Sequence, residues 1–482
     1  MRLLNSLSGQ KEEVLYSQKN PLHFFVCGPT VFDYSHIGHA RTYIAFDVFA
    51  RFIRSKKWKM VYLQNITDVD DKIIDRAKMH DENPLRYAWK FESLYKNDMK
   101  AIGCISVNRY ARATDHIKEI ENQIQTLITK GNAYYISGQG YYFDITTFKE
   151  YGKLSRRTIT QAEDAVTRID EQIEKRNKGD FALWKEVQVE EKDKKKKFVI
   201  VNGEPAWNTK LGWGRPGWHI EDTAITERWF GPQYDIHGGG GDLKFPHHEA
   251  EIAQQESASG KIPFVKIWLH TGSLRINGEK MSKSLGNFFT IKDFLHIHSK
   301  NILRFIITSH HYRSPIQWSD SLITQAYTAI DTFTSLLDAL SFIENKKIKI
   351  KKETDKSVKN IEDILKKEFE EAMNDDLNTP EAIAALFKYT NSIRSITWKL
   401  SPATARRAKK TIKTNLKILG IEIEEEKIPS SITKIVEKRE LCRSNKQFTP
   451  ADTLRKQIDT LGYSIEDTPI GPFVRKKVCI KL

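Results

Sequence analysis

The sequence predicts an α/β protein built on a parallel sheet, followed by a helical region and a small terminal domain. Three observations carry that reading. Residues 22–27 (LHFFVC) and 61–67 (VYLQNIT) are short apolar runs of strand length. Between them, after a glycine-containing loop, Ile44, Val48 and Phe52 recur every four residues, as one face of a helix does. Two strands joined by a helical crossover run parallel, which makes a βαβ unit. From about residue 302 the apolar spacing becomes helical.

Ligands of parallel sheets sit outside the carboxyl ends of the strands. Chemistry is therefore expected in the loops after Val26 and Ile66. Residues 114–185 read as mixed helix and short strands. Residues 190–204 (EEKDKKKKFVIVNGE) read as an exposed hairpin or loop with a solvated lysine run. The glycine-rich stretch 212–225 (GWGRPGWHIEDTAI) restarts the sheet-like pattern, and 235–257 (DIHGGGGDLKFPHHEAEIAQQES) continues it into a helix. A polar linker at 344–357 interrupts the helical half, and 432–471 reads as two helices and then a strand or turn.

Composition narrows the function. A chain of 482 residues has room for about three domains. Its 39% hydrophobic content and mean hydropathy of −0.52 are those of a globular protein without membrane association. The start lacks an apolar signal segment, so a cytoplasmic location is expected. A formal charge of +15 suits a polyanionic partner. Cys27, Cys104, Cys442 and Cys479 form no CxxC pair, which excludes a disulfide framework and a cysteine-pair zinc finger. Any metal site must gather ligands from distant positions.

Two motifs carry chemistry. His36-Ile37-Gly38-His39 falls where the first helix begins. A helix N-terminus offers free N–H groups to phosphate, two imidazoles can add donors, and Gly38 lets a flat base approach the backbone. Alone, the motif reads more readily as two surface histidines at a helix start. Lys280-Met281-Ser282-Lys283-Ser284, flanked by Gly278 and Gly286, places two lysines three apart in a loop. Such a clamp can hold the β- and γ-phosphates of ATP as charge builds on departing pyrophosphate.

With both strings in this order, the chain resembles the class I aminoacyl-tRNA synthetases, whose signatures are HIGH and KMSKS. Further segments, among them FVCGPTVFDYSHIGHAR, NITDVDDKIIDRA, RPGWHIED, DIHGGGGDLKFPHHEAEIAQ and EKMSKSLGNF, resemble the cysteinyl-tRNA synthetases specifically. The resemblance implies a Rossmann-type catalytic domain interrupted by a connective insertion. Residues 1–130 and 212–300 would be its two halves and 131–211 the insertion. A helical stem-contact and anticodon-binding bundle (301–425) and a small C-terminal anticodon-binding domain (426–482) would follow. It implies Mg²⁺–ATP, L-cysteine and tRNA(Cys) as partners, and a monomer. His36, Gly38, His39, Lys280 and Lys283 would bind ATP, the histidines and lysines being catalytic.

Cysteine and serine differ by thiol against hydroxyl in nearly one shape, which a hydrophobic pocket separates by only ~100-fold. A soft metal reads the difference directly. The resemblance places a Zn²⁺ ligand set at Cys27, Asp222, His247 and Glu251, with Asp222 standing where the family pattern has a cysteine. Asp222 is either an oxygen ligand or a local cap. The resemblance also implies cysteine contacts at Gly28, Thr67, Trp218, His237 and Asp242. Rival readings are a cysteine ligase that needs no tRNA, a synthetase for another amino acid, and a non-catalytic RNA-binding paralogue.

Overall fold

The structure, a computed structural model, describes residues 1–157, 174–276, 278–280, 289–346 and 353–478. Two compact units emerge. One comprises Met1–Phe294 with Tyr312–Gln317, the other Leu295–His311 with Trp318–Leu482.

The first unit is built on a five-stranded parallel sheet. Its strands are β1 (Leu22–Val26), β2 (Met60–Ile66), β3 (Arg109–Arg112), β4 (Tyr234–Gly240) and β5 (Val265–Thr271). Their spatial order is 3-2-1-4-5, so the winding reverses between β1 and β4. That reversal opens a crevice at the carboxyl ends of these two strands. The crossover from β1 to β2 is α1 (Ile37–Ser55). It starts several residues before the apolar period is legible, because His36 caps it. Its inner face packs on the sheet, with Phe24 of β1 meeting Phe46 and Phe49 at ring separations of 5.7 and 5.0 Å. All three rings are buried, each contributing roughly 1.5–3 kcal/mol.

A six-stranded antiparallel sheet interrupts the parallel one. In spatial order its strands are Ala133–Ile136, Gly140–Phe143, Phe181–Glu186, Gly212–Pro216, Glu204–Thr209 and Phe198–Val201. The sheet-like pattern at 212–216 belongs to this sheet, where the strand pairs antiparallel with Phe181–Glu186 and Glu204–Thr209. Periodicity alone does not distinguish a strand of one sheet from a strand of another. The main sheet's layer resumes with the helix α2 (Ile220–Phe230) and, after β4, with α3 (His247–Ser259). The lysine run lies at the edge of the insertion, where Lys192, Lys194 and Lys196 pair with Glu190, Glu191 and Asp193.

The second unit is helical: Lys300–Thr308, Asp320–Glu344, Glu353–Asn374, Thr379–Ile396 and Pro402–Ile418. Two further helices, Ser430–Ser444 and Phe448–Thr460, then support a hairpin of Tyr463–Thr468 and Gly471–Lys476. Buried Arg439 ties helix to hairpin through a fork on Asp467, at 2.8 and 3.0 Å. Among the described residues, no helix is long and apolar enough to cross a membrane.

Candidate active site

The crevice between β1 and β4 opens into a cavity of about 1460 Å³ within the first unit. Cys27 and Gly28 reach it from the end of β1, His36, Gly38 and His39 from the start of α1, and Asp242 from the turn after β4. Trp218 lines it ahead of α2.

The two histidines of the first motif are locked together. The His39 N–H donates to His36 Nδ1 at 3.2 Å, and the His36 N–H donates to His39 Nδ1 at 3.4 Å. Their rings stack at 3.7 Å. With both Nδ1 atoms accepting, each ring carries its proton on Nε2. The pair therefore caps the helix and presents N–H donors at a positive dipole end. Gly38 serves this cap, since a Cβ there would stand 2.7 Å from His36 Nδ1. The glycines after His237 also have a packing role. A Cβ on Gly238 would meet the Phe46 ring at 2.7 Å, and one on Gly239 the His248 ring at 2.6 Å.

Beneath the cavity floor Cys27, Asp222 and His247 converge, and Glu251, which groups with His237 and His248, reaches them at His247. Cys27 Sγ lies 3.3 Å from Asp222 Oδ2, which lies 3.1 Å from His247 Nε2. His247 Nε2 is in turn 3.2 Å from Glu251 Oε1. All four residues are buried. Asp222 Oδ1 and both Glu251 oxygens have no hydrogen-bond partner. Burial, then Asp222 and Glu251, push the Cys27 thiol well above its usual range. Burial and Asp222 likewise push Glu251 up. Protein-only contacts thus leave this concentration of anionic donors uncompensated, which is costly in a dry interior. Cys27, Asp222 and His247 stand close enough together to hold a divalent cation, with Glu251 against His247. Tetrahedral ligands about 2.0–2.3 Å from zinc stand roughly 3.3–3.8 Å apart, near the separations here. His247 has the supporting contact such a ligand needs, its Nδ1 lying 2.8 Å from His219 Nδ1.

The other expected residues divide into two groups. Gly28, Trp218 and Asp242 line the cavity, and Trp218 stacks over His247 at 4.3 Å. Thr67 and His237 lie behind the wall. Thr67 donates to Glu221 Oε2 at 2.8 Å, and His237 Nδ1 meets the Tyr234 hydroxyl at 2.7 Å and faces Glu251 Oε2 at 3.6 Å. The backbone of Lys280 closes the short strand Glu279–Lys280, and Lys283 lies outside the described residues. Glu221, His248 and His270 are buried beside this site without having been singled out from the sequence. Burial holds the pKa of His219, His237, His248 and His270 well below the usual imidazole range, so they are neutral donors and acceptors. The paired histidines of FPHHE were the visible signal for His248.

Residues 13–328 match the model of the class I (C) tRNA synthetase catalytic domain, and 368–424 match the DALR domain. The chain is 41% identical to the cysteine–tRNA ligase of Caldicellulosiruptor saccharolyticus over 99% of its own length and 100% of the relative's. It is 40% identical to that of Thermococcus gammatolerans over 98% of both chains. Among solved structures, Mycobacterium tuberculosis methionyl-tRNA synthetase with methionyl-adenylate shares the fold. Its TM-score is 0.57 at 15% identity, covering 83% of this chain and 90% of that one.

Proposed function

The chain belongs to the cysteine–tRNA ligase family of class I synthetases, and on that premise we propose that Cys27, Asp222, His247 and Glu251 hold one divalent metal, zinc by preference, beneath a cavity that joins L-cysteine to tRNA(Cys). The convergence of Cys27, Asp222 and His247, with Glu251 against His247, beside the cavity that His36 and His39 also line carries the reading. Zinc held there supplies a soft acceptor that binds thiolate far better than hydroxyl.

The chain's own residues do the rest. Gly28 and Asp242 bind the amino acid on the cavity wall, with Trp218 as its aromatic side. Thr67 and His237 act from behind, through Glu221 and Glu251. ATP enters as its Mg²⁺ complex. His36 and His39 direct N–H groups at its phosphates, Gly38 keeps that cap closed, and Lys280 and Lys283 meet the outer phosphates. The cysteine carboxylate oxygen bonds to the α-phosphorus as the bond to the β-phosphate bridge breaks and pyrophosphate leaves. A ribose hydroxyl at the tRNA 3′ end then takes the cysteinyl group from AMP. No protein nucleophile takes part; positioning and fixed charge lower the barrier.

The test is metal content of the purified protein, run beside cysteine-dependent ATP–pyrophosphate exchange with serine as control. About one metal per chain and exchange on cysteine alone are expected. Exchange on cysteine by a metal-free protein would remove the metal from this account of specificity.

A further inference from the structure

The segments NITDVDDKIIDRA and RPGWHIED carry charged residues that the chemistry above does not use. They meet in one ion network. Arg215 and Lys185 stand directly opposite each other on the antiparallel strands Gly212–Pro216 and Phe181–Glu186. Like charges in that register destabilise the pairing. Arg215 is also buried, and a buried cation left unpaired is costly.

Asp71 resolves the conflict from outside the insertion. It is the first residue of the helix Asp71–Met79, which starts just past the carboxyl end of β2. Its Oδ2 accepts from Lys185 Nζ at 2.6 Å, and its Oδ1 accepts from Arg215 Nη2. Glu204, on the next strand of the insertion, accepts from Arg215 Nε at 2.7 Å. Against burial, Arg215 and then Lys185 hold the Asp71 carboxyl below its usual range. The neighbouring Asp70 serves the helix instead, capping it by accepting the Lys72 N–H at 2.9 Å. Of the two adjacent aspartates, one holds the helix and the other reaches across to the insertion.

The network fixes the route to Trp218, three residues beyond Arg215. Pro216 restricts the backbone between them. The Gly217 N–H donates to the Leu183 carbonyl at 2.9 Å. A Cβ on Gly217 would stand 1.9 Å from the Ala182 carbonyl oxygen, so this segment lies hard against the neighbouring strand. Trp218 then lines the cavity and stacks over His247 at 4.3 Å. A segment this short and stiff carries a shift at Arg215 to the indole, and a misplacement of ~1 Å can cost ~100-fold at a substrate site.

We propose that Asp71 is a positioning residue for the amino acid: by bridging Arg215 and Lys185 it fixes the strand end that sets Trp218 against bound cysteine. The inference rests on the ligase reading above, in which Trp218 is the aromatic side of the pocket.

Asp71→Asn keeps the shape and removes the charge. In cysteine-dependent pyrophosphate exchange, the KM for cysteine is expected to rise at least about fivefold, with kcat and the KM for ATP within about twofold of the wild type. Adding Lys185→Gln removes the repulsion that Asp71 offsets, so the double variant should return the cysteine KM to within about twofold of the wild type. In a Trp218→Ala background the wall is already gone, and Asp71→Asn should add nothing further. A tie that only holds the fold together would lower the unfolding temperature and leave the cysteine KM unchanged, which overturns the inference. So would an equal rise in the KM for ATP, or additive effects of Asp71→Asn and Trp218→Ala. Should Asp71→Asn fail to fold, Arg215→Lys carries the same expectation, since it keeps the charge and loses the two-sided fork. A cysteine KM unmoved by Trp218→Ala itself would instead sink the parent reading of the pocket, and this inference with it.

Discussion

Asp222 stands at 3.1–3.3 Å from both Cys27 and His247, with a carboxylate where the family pattern has a thiolate. An oxygen donor is harder than sulfur, so this shell should discriminate less strongly for zinc over oxygen-preferring ions such as Mn²⁺. Asp222→Cys is therefore expected to tighten zinc binding at least about tenfold, some 1.4 kcal/mol, in competition against a chromophoric chelator. Asp222→Ala should lower metal content below that of the wild type. A cysteine variant that binds zinc no more tightly would place Asp222 outside the shell. Nothing in the local sequence marks this residue as a ligand, because its partners lie 195 and 25 positions away. The resemblance made the set legible; spacing alone offered only His247 and Glu251, one helical turn apart. Glu221 and His270 stayed illegible for the same reason, since their roles come from tertiary burial.

At the level of elements, the start of α1 combines two functions that a single variant can separate. His36 is the helix cap and, in the proposed site, a phosphate donor. Asparagine is a good N-cap, so His36→Asn should change unfolding free energy by less than about 0.5 kcal/mol while slowing pyrophosphate exchange about 100-fold or more. Equal exchange in the variant would reduce the histidine to a cap. The C-terminal hairpin gives a pH test. Arg439 and then Arg443 hold the Asp467 carboxyl down from 3.8 to about 2. A depressed carboxylate stabilises the fold above its unfolded value, and that stability is lost as pH falls through 3.8 towards 2. The Asp467 side chain is 43% exposed, so solvent screening reduces the worth of the fork to about 1 kcal/mol. Asp467→Asn should lose that much at pH 7 and only a small fraction of it near pH 2, in paired denaturant titrations of the full chain. Element types were readable wherever one period persisted, as in β1, α1 and β2. Residues 212–216 were readable as sheet, but strand character says nothing about which sheet will supply the partner.

At the scale of the whole molecule, the +15 charge acquires a specific meaning once the family is known. Basic side chains lie on both units: Arg156 and Lys244 line the cavity in the first, and the helix Pro402–Ile418 of the second carries the segment TARRAKKTIKTNLK, where Arg406, Arg407, Lys409 and Lys413 are already paired with Glu344, Glu362 and Glu425. Binding that neutralises several phosphates releases as many counterions, so affinity falls steeply with salt. Amino-acid activation engages a single polyphosphate and depends far less on long-range charge. Raising monovalent salt from about 50 to 200 mM should therefore weaken tRNA binding at least about tenfold, while cysteine-dependent exchange changes by less than about twofold. A basic composition unrelated to RNA would give two flat lines. The comparison also decides between this enzyme and a tRNA-independent cysteine ligase, whose exchange would look identical but whose affinity for tRNA would lack specificity. Competition by unrelated tRNA, measured at the higher salt, supplies that last distinction: specific contacts survive screening that removes the general electrostatic term.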